Sequence, residues 1–122
     1  MLHGSGRLQL KNGNVVQGEW LDNVISSGTI AFKNGDYYEG EMNTNFQPHG
    51  YGEMQVDVNG MNYTGTWVNG CITTGTEMTK DGQEIYKGLF NKKMKRHGKG
   101  ECTLPFKQVK FEGVWDNGKP KG

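Results

Sequence analysis

Three histidines share one local setting, each directly before a glycine: His3-Gly4, His49-Gly50 and His97-Gly98. Imidazole is the commonest metal ligand among side chains, so a recurring slot raises the prospect of a metal site. Spacing argues against it. If each histidine opens the same strand of a repeated unit, successive ones lie four strands apart, about 19 Å at standard interstrand distance. Zinc ligands must meet within about 2.3 Å of one ion. The histidines are read as loop residues, with no metal and no cofactor. Glu39 and Glu41 alternate on one strand face, where solvation accounts for them. Gly-x-Gly recurs, but it opens a strand instead of a helix, so the phosphate-cradling fingerprint does not apply. No nucleophile stands beside a legible base, and the chain is read as non-catalytic.

Two other sets could bind. Lys92-Lys93-Met94-Lys95-Arg96-His97 is the sharpest charge run in the chain. Lys92, Lys93, Lys95 and Arg96 could meet anionic phospholipid headgroups, each worth about 1 kcal/mol near a charged membrane. Nucleic acid is excluded as a partner, because the run lacks a groove-reading element. The second set is a row of rings: Trp20, Tyr38, Tyr63, Trp67, Tyr86, Phe90, Phe111 and Trp115. Such a row on a one-layer sheet would leave an apolar strip able to anchor a partner's helix or extended peptide.

These residues need elements to hold them, and the elements repeat. An apolar residue, a spacer, a glycine, a spacer and another apolar residue recur around Gly18, Gly40, Gly65, Gly88 and Gly113, spaced 22, 25, 23 and 25 residues apart. A period of this size means stacked supersecondary units. From His3, Leu8 and Leu10 alternate with Arg7 and Gln9, the pattern of a half-buried strand. Ile30 and Phe32, Met54 and Val56, and Cys102 and Leu104 repeat it. In the fourth unit Glu77 and Thr79 fall in the apolar slots, so looser packing is expected there. Asn12-Gly13, Asn34-Gly35, Asn59-Gly60 and Asp81-Gly82 are strong hairpin turns, because both residues tolerate positive φ. Pro105-Phe106-Lys107-Gln108 replaces the fifth with a wider turn. Rings on one strand should cover bare glycine backbone on the next.

The chain has 122 residues, 20 of them glycine and 33% hydrophobic, too few apolar residues for a thick core. Net charge is +1. Residues 1–80 carry four Lys/Arg against eight Asp/Glu, and residues 81–122 carry ten against five. An acidic head and a basic tail, with a strand edge at each end, predict self-association end to end or as a homodimer. The two cysteines form no disulfide framework. No leader and no apolar run of about 18 residues is legible, which predicts a cytoplasmic protein.

Tyr38-Glu39-Gly40-Glu41, the Asn/Asp-Gly turns, His49-Gly50-Tyr51-Gly52 and His97-Gly98-Lys99-Gly100 together resemble the MORN (membrane occupation and recognition nexus) repeat family. The resemblance spans the chain from His3 to Gly122, with Met42 where the family usually has Trp. It implies an all-β fold: an elongated, single-layer, twisted antiparallel sheet of about five stacked hairpins. The units would run over residues 3–20, 27–42, 49–67, 74–90 and 97–115 of one array covering residues 1–122. It further implies a protein-interaction scaffold at cytoskeletal or membrane-associated structures. The alternatives are an anionic-lipid adaptor and the regulatory repeat region of a larger enzyme.

Overall fold

The Asn-Gly and Asp-Gly pairs reverse the chain by one device. Asn12, Asn34, Asn59 and Asp81 each accept, through a side-chain oxygen, the N–H two residues on, at 2.9, 2.9, 2.9 and 3.1 Å. The glycine that follows each takes a left-handed φ, 95° at Gly13 and 102° at Gly35, which a side chain would oppose. These turns, alternating with links on the opposite side, produce one antiparallel meander. The structure is a computed structural model and describes residues 4–22 and 24–121; His3 and Gly122 lie outside them.

The described residues form eleven strands: β1 (Gly4–Gln9), β2 (Val15–Leu21), β3 (Val24–Ala31), β4 (Tyr37–Met42), β5 (Pro48–Gln55), β6 (Asn62–Val68), β7 (Cys71–Met78), β8 (Ile85–Phe90), β9 (Arg96–Leu104), β10 (Val109–Asp116) and β11 (Lys119–Pro120). Each pairs only with its neighbours in sequence, in one open sheet. The wider fifth turn is a single 3-10 turn, Pro105–Lys107, closed by Gln108 at φ 52°.

The links on the other side alternate in length. Between β4 and β5, and between β8 and β9, five residues intervene, organised by Asn43 and Asn91. The Oδ1 of Asn43 accepts from the N–H of Asn45 and Gln47, and that of Asn91 from Lys93 and Lys95. Between β6 and β7 only Asn69 and Gly70 intervene. Here the imidazole has its use: the Asn69 N–H donates to Nδ1 of His49 at 3.1 Å, and the Asn117 N–H to Nδ1 of His97 at 3.2 Å.

The glycines line up. Gly6, Gly18, Gly28, Gly40, Gly52, Gly65, Gly75, Gly88, Gly100 and Gly113 are each directly opposite the next, an unbroken row across β1 to β10. Neighbouring strands approach closely on the inward side of this row. A Cβ on Gly40 would stand 2.5 Å from the Cα of Gly52, and one on Gly88 2.6 Å from that of Gly100. Only hydrogen fits. The row therefore acts as a crease along which the sheet bends toward its inward face.

Bending explains the core. Val16, Trp20, Ile25, Ile30, Tyr38, Met42, Met54, Tyr63, Trp67, Ile72, Tyr86, Phe90 and Trp115 are buried on that face. Leu8, Leu10, Phe32, Phe46, Val56, Met61, Met94 and Cys102 pack half-buried against them. Phe46 and Met94 reach it from the two long links, each from a left-handed residue with φ near 60°. One sheet thus buries large rings without a second layer.

At Glu77 the fourth unit corrects the expectation of loose packing. Glu77 is buried, 6% exposed, because Arg96 enters from β9 to meet it. Oε2 of Glu77 accepts from Nε and Nη2 of Arg96 at 3.2 and 2.8 Å, and Arg96 also reaches Glu84 at 2.5 Å. The guanidinium lies 5.0 Å from the Tyr86 ring centre. An ion triad fills the apolar slot.

Candidate functional site

Seven of the eight rings proposed as partner anchors are engaged within the chain. Trp20, Tyr38, Tyr63, Trp67, Tyr86, Phe90 and Trp115 are all buried; only Phe111, 47% exposed, reaches solvent. Their polar ends are satisfied too. The Tyr38 hydroxyl donates to the Glu41 carbonyl at 2.6 Å and the Tyr86 hydroxyl to that of Leu89 at 2.8 Å. The indole N–H groups of Trp20 and Trp67 donate to the carbonyls of Gly6 and Gly52. The rings meet edge to face, Tyr38 with Trp67 at 5.5 Å and Tyr86 with Trp115 at 5.0 Å. Burial, then the charge of Glu41, pushes the Tyr38 phenol up to about 12. Burial and Glu77 do the same for Tyr63, to about 12. These side chains build the core; an exposed aromatic groove made of them does not exist.

What the inward face leaves open lies beside the Asn-Gly turns. Leu10, Phe32, Val56 and Leu104 hold one equivalent position, the residue from which each turn departs, and each is half-buried. Thr79 takes that position in the fourth unit, and there the rim opens into a groove. Met61, Leu104 and Phe106 supply its apolar wall, with Lys80, Asp81 and Lys107 at its mouth. Phe106 is 77% exposed. Its signal was present in the sequence, since Phe106 occupies the one turn that departs from Asx-Gly.

The basic run divides. Lys92, Lys93 and Lys95 are exposed on the β8–β9 link. Arg96 is turned inward, its side chain 13% exposed. Burial works against its charge, but Glu77 and Glu84 outweigh that and leave its pKa raised. Arg96 is therefore withdrawn from the set of four cations available to a headgroup.

Among the described residues, no group of three or more His, Cys, Asp or Glu is placed to hold an ion, and no helix is long and apolar enough to cross a membrane. Cys71 and Cys102 are both free, and burial raises the Cys102 thiol. Glu39 and Glu41 are exposed, and a Glu41 carboxylate oxygen accepts from the Tyr51 N–H at 2.9 Å. The chain matches no protein-family model and no curated protein.

Proposed function

We propose that this chain is a MORN-type repeat array acting as a non-catalytic scaffold, which holds a partner's helix or extended segment along the inward rim beside its Asn-Gly turns. The observation that carries the reading is the recurrence of Leu10, Phe32, Val56 and Leu104 at one position, half-buried, with the groove under Phe106 interrupting the line. A line of apolar side chains at regular steps suits a partner with anchors at regular intervals. The buried rings make the rim rigid, so little ordering cost falls on the scaffold when it binds.

Affinity capture tests this with three baits: the wild type, a rim variant carrying Val56→Glu and Leu104→Glu, and a control with Gln55→Glu on the opposite side of β5. The reading expects a protein retained by wild type and control and lost by the rim variant, with all three baits folded by far-UV circular dichroism at the capture temperature. Identical capture by all three removes it. The lipid reading leans on Lys92, Lys93 and Lys95 alone, three cations and about 3 kcal/mol at low salt. Flotation with phosphatidylserine vesicles that survives reversal of all three charges eliminates that alternative.

A further inference from the structure

The outward side of the sheet carries a charge pattern that its own register makes self-complementary. Outward positions of β2 to β5 hold Glu19, Glu39, Glu41 and Glu53 and no Lys or Arg. On β8 and β9 they hold Lys87 and Lys99. None of these six makes an ion pair within the chain, among the described residues. Glu101, the acid on β9, is already tied to Lys110 at 3.2 Å.

The strand pairing fixes where these groups stand. Glu53 pairs with Thr64, Thr64 with Thr76, and Thr76 with Lys87, so Glu53 and Lys87 are mirror positions about the β6–β7 boundary. Tyr51, Thr66, Thr74 and Leu89 form the parallel file on the other side of the glycine row. Tyr51 is 63% exposed and Leu89 46%. One strand further out on each side stand Glu41 and Lys99.

We propose that a second copy of this chain docks on this outward side, about a twofold axis parallel to the strands and above the β6–β7 boundary. Such an axis lays β5 of one copy over β8 of its partner and β4 over β9. Glu53 then meets Lys87, Glu41 meets Lys99 and Tyr51 meets Leu89, each contact made twice. The small threonines of β6 and β7 let the two sheets approach at the axis. Glu39 falls opposite Glu101, which shares Lys110 with Glu112, so this like-charge contact is one that the Glu53–Lys87 and Glu41–Lys99 pairs must outweigh. The pattern favours a copy of itself over other occupants, because Glu53 and Glu41 find Lys87 and Lys99 at matching positions when the surface is rotated onto itself. The inference stands apart from the scaffold reading, which uses the inward rim.

Sedimentation equilibrium on the full chain, in low and high salt, tests it. The wild type should reach twice the monomer mass at low salt and dissociate as salt rises. Glu53→Lys alone, and Lys87→Glu alone, should each weaken the dimer at least about tenfold, since each places two like-charge contacts in the interface. The double variant Glu53→Lys/Lys87→Glu should restore it, because the reversed charges meet again across the axis. Lys92→Glu, away from the axis, should leave the dimer intact. A wild type that stays monomeric at every concentration overturns the proposal, and so does a double variant that dimerises no better than the singles.

Discussion

The hydroxyl of Tyr38 donates to the Glu41 carbonyl at 2.6 Å, and the ring that carries it occupies the space a side chain on Gly52 would need. Tyr86 stands in the same relation to Leu89 and Gly100. Glycine and ring are thus one structural unit spread over two strands. Any Cβ at Gly52 must displace a buried phenol that is bonded at its far end.

Gly52→Ala should therefore cost about 3 kcal/mol, the upper range for forcing extra volume into a packed site. Gly82→Ala supplies the contrast. Gly82 has φ 72° but nothing within 4 Å of a Cβ, so only the backbone penalty of about 1 kcal/mol applies. Urea unfolding of both variants checks the order. Equal losses would mean that the ring does not guard the glycine.

The ion triad invites a double-mutant cycle. Arg96→Met alone strands Glu77 in the core, and Glu77→Leu alone removes the more deeply buried of the two carboxylates that offset the burial of Arg96. Each should cost about 3 kcal/mol, as removing one partner of a buried pair does. The combined variant should lie within about 1 kcal/mol of wild type, since a well-packed apolar pair replaces a buried ion pair at little cost. Additive losses in urea melts would show that the residues act independently. Reversing Lys92, Lys93 and Lys95, all exposed, should leave the same melts unchanged within about 0.5 kcal/mol.

Alkaline pH should unfold the protein through its buried phenols. Tyr38 and Tyr63 both titrate at about 12 when folded, against 10.0 for a free side chain. Folding favours their protonated forms, so their contribution is complete below pH 10.0 and declines as pH rises toward 12. Tyrosinate absorbance and a fold-sensitive signal should change together across that window. Tyr38→Phe should remove part of the slope, and a stability profile flat from pH 10.0 to 12 refutes the assignment.

Much of this was legible in the chain. The alternating strands, the Asx-Gly turns and the glycine period follow from local residue chemistry, which acts within a few positions. The spacings of 22, 25, 23 and 25 also encode the alternation of short and long links, visible once Asn43 and Asn91 are seen to build identical loops. Three things were not legible. The direct pairing of glycines into a crease depends on register across strands, and the burial of the rings depends on that crease. Arg96 stands beside three surface lysines in sequence, and nothing local distinguishes it from them. Its role comes from Glu77, 19 residues earlier, a carboxylate in an apolar slot whose partner lies two strands away in the sheet and not nearby in the chain.

The histidines give a local test of the links. His49 Nδ1 accepts from the Asn69 N–H at 3.1 Å, and Asn69 itself is left-handed, with φ 46°. The Asn43 amide also donates to the Asn69 side chain at 3.1 Å, so the imidazole is one of two side-chain supports on this turn. His49→Ala should cost about 1 kcal/mol, the usual worth of one hydrogen bond. The change should be local, because each unit contacts only its neighbours. Amide exchange at Asn69 should accelerate severalfold in His49→Ala, while exchange at Asn117, supported by His97, stays at its wild-type rate. Acceleration at both sites would mean that the units unfold together, and the picture of independently braced links would have to be abandoned.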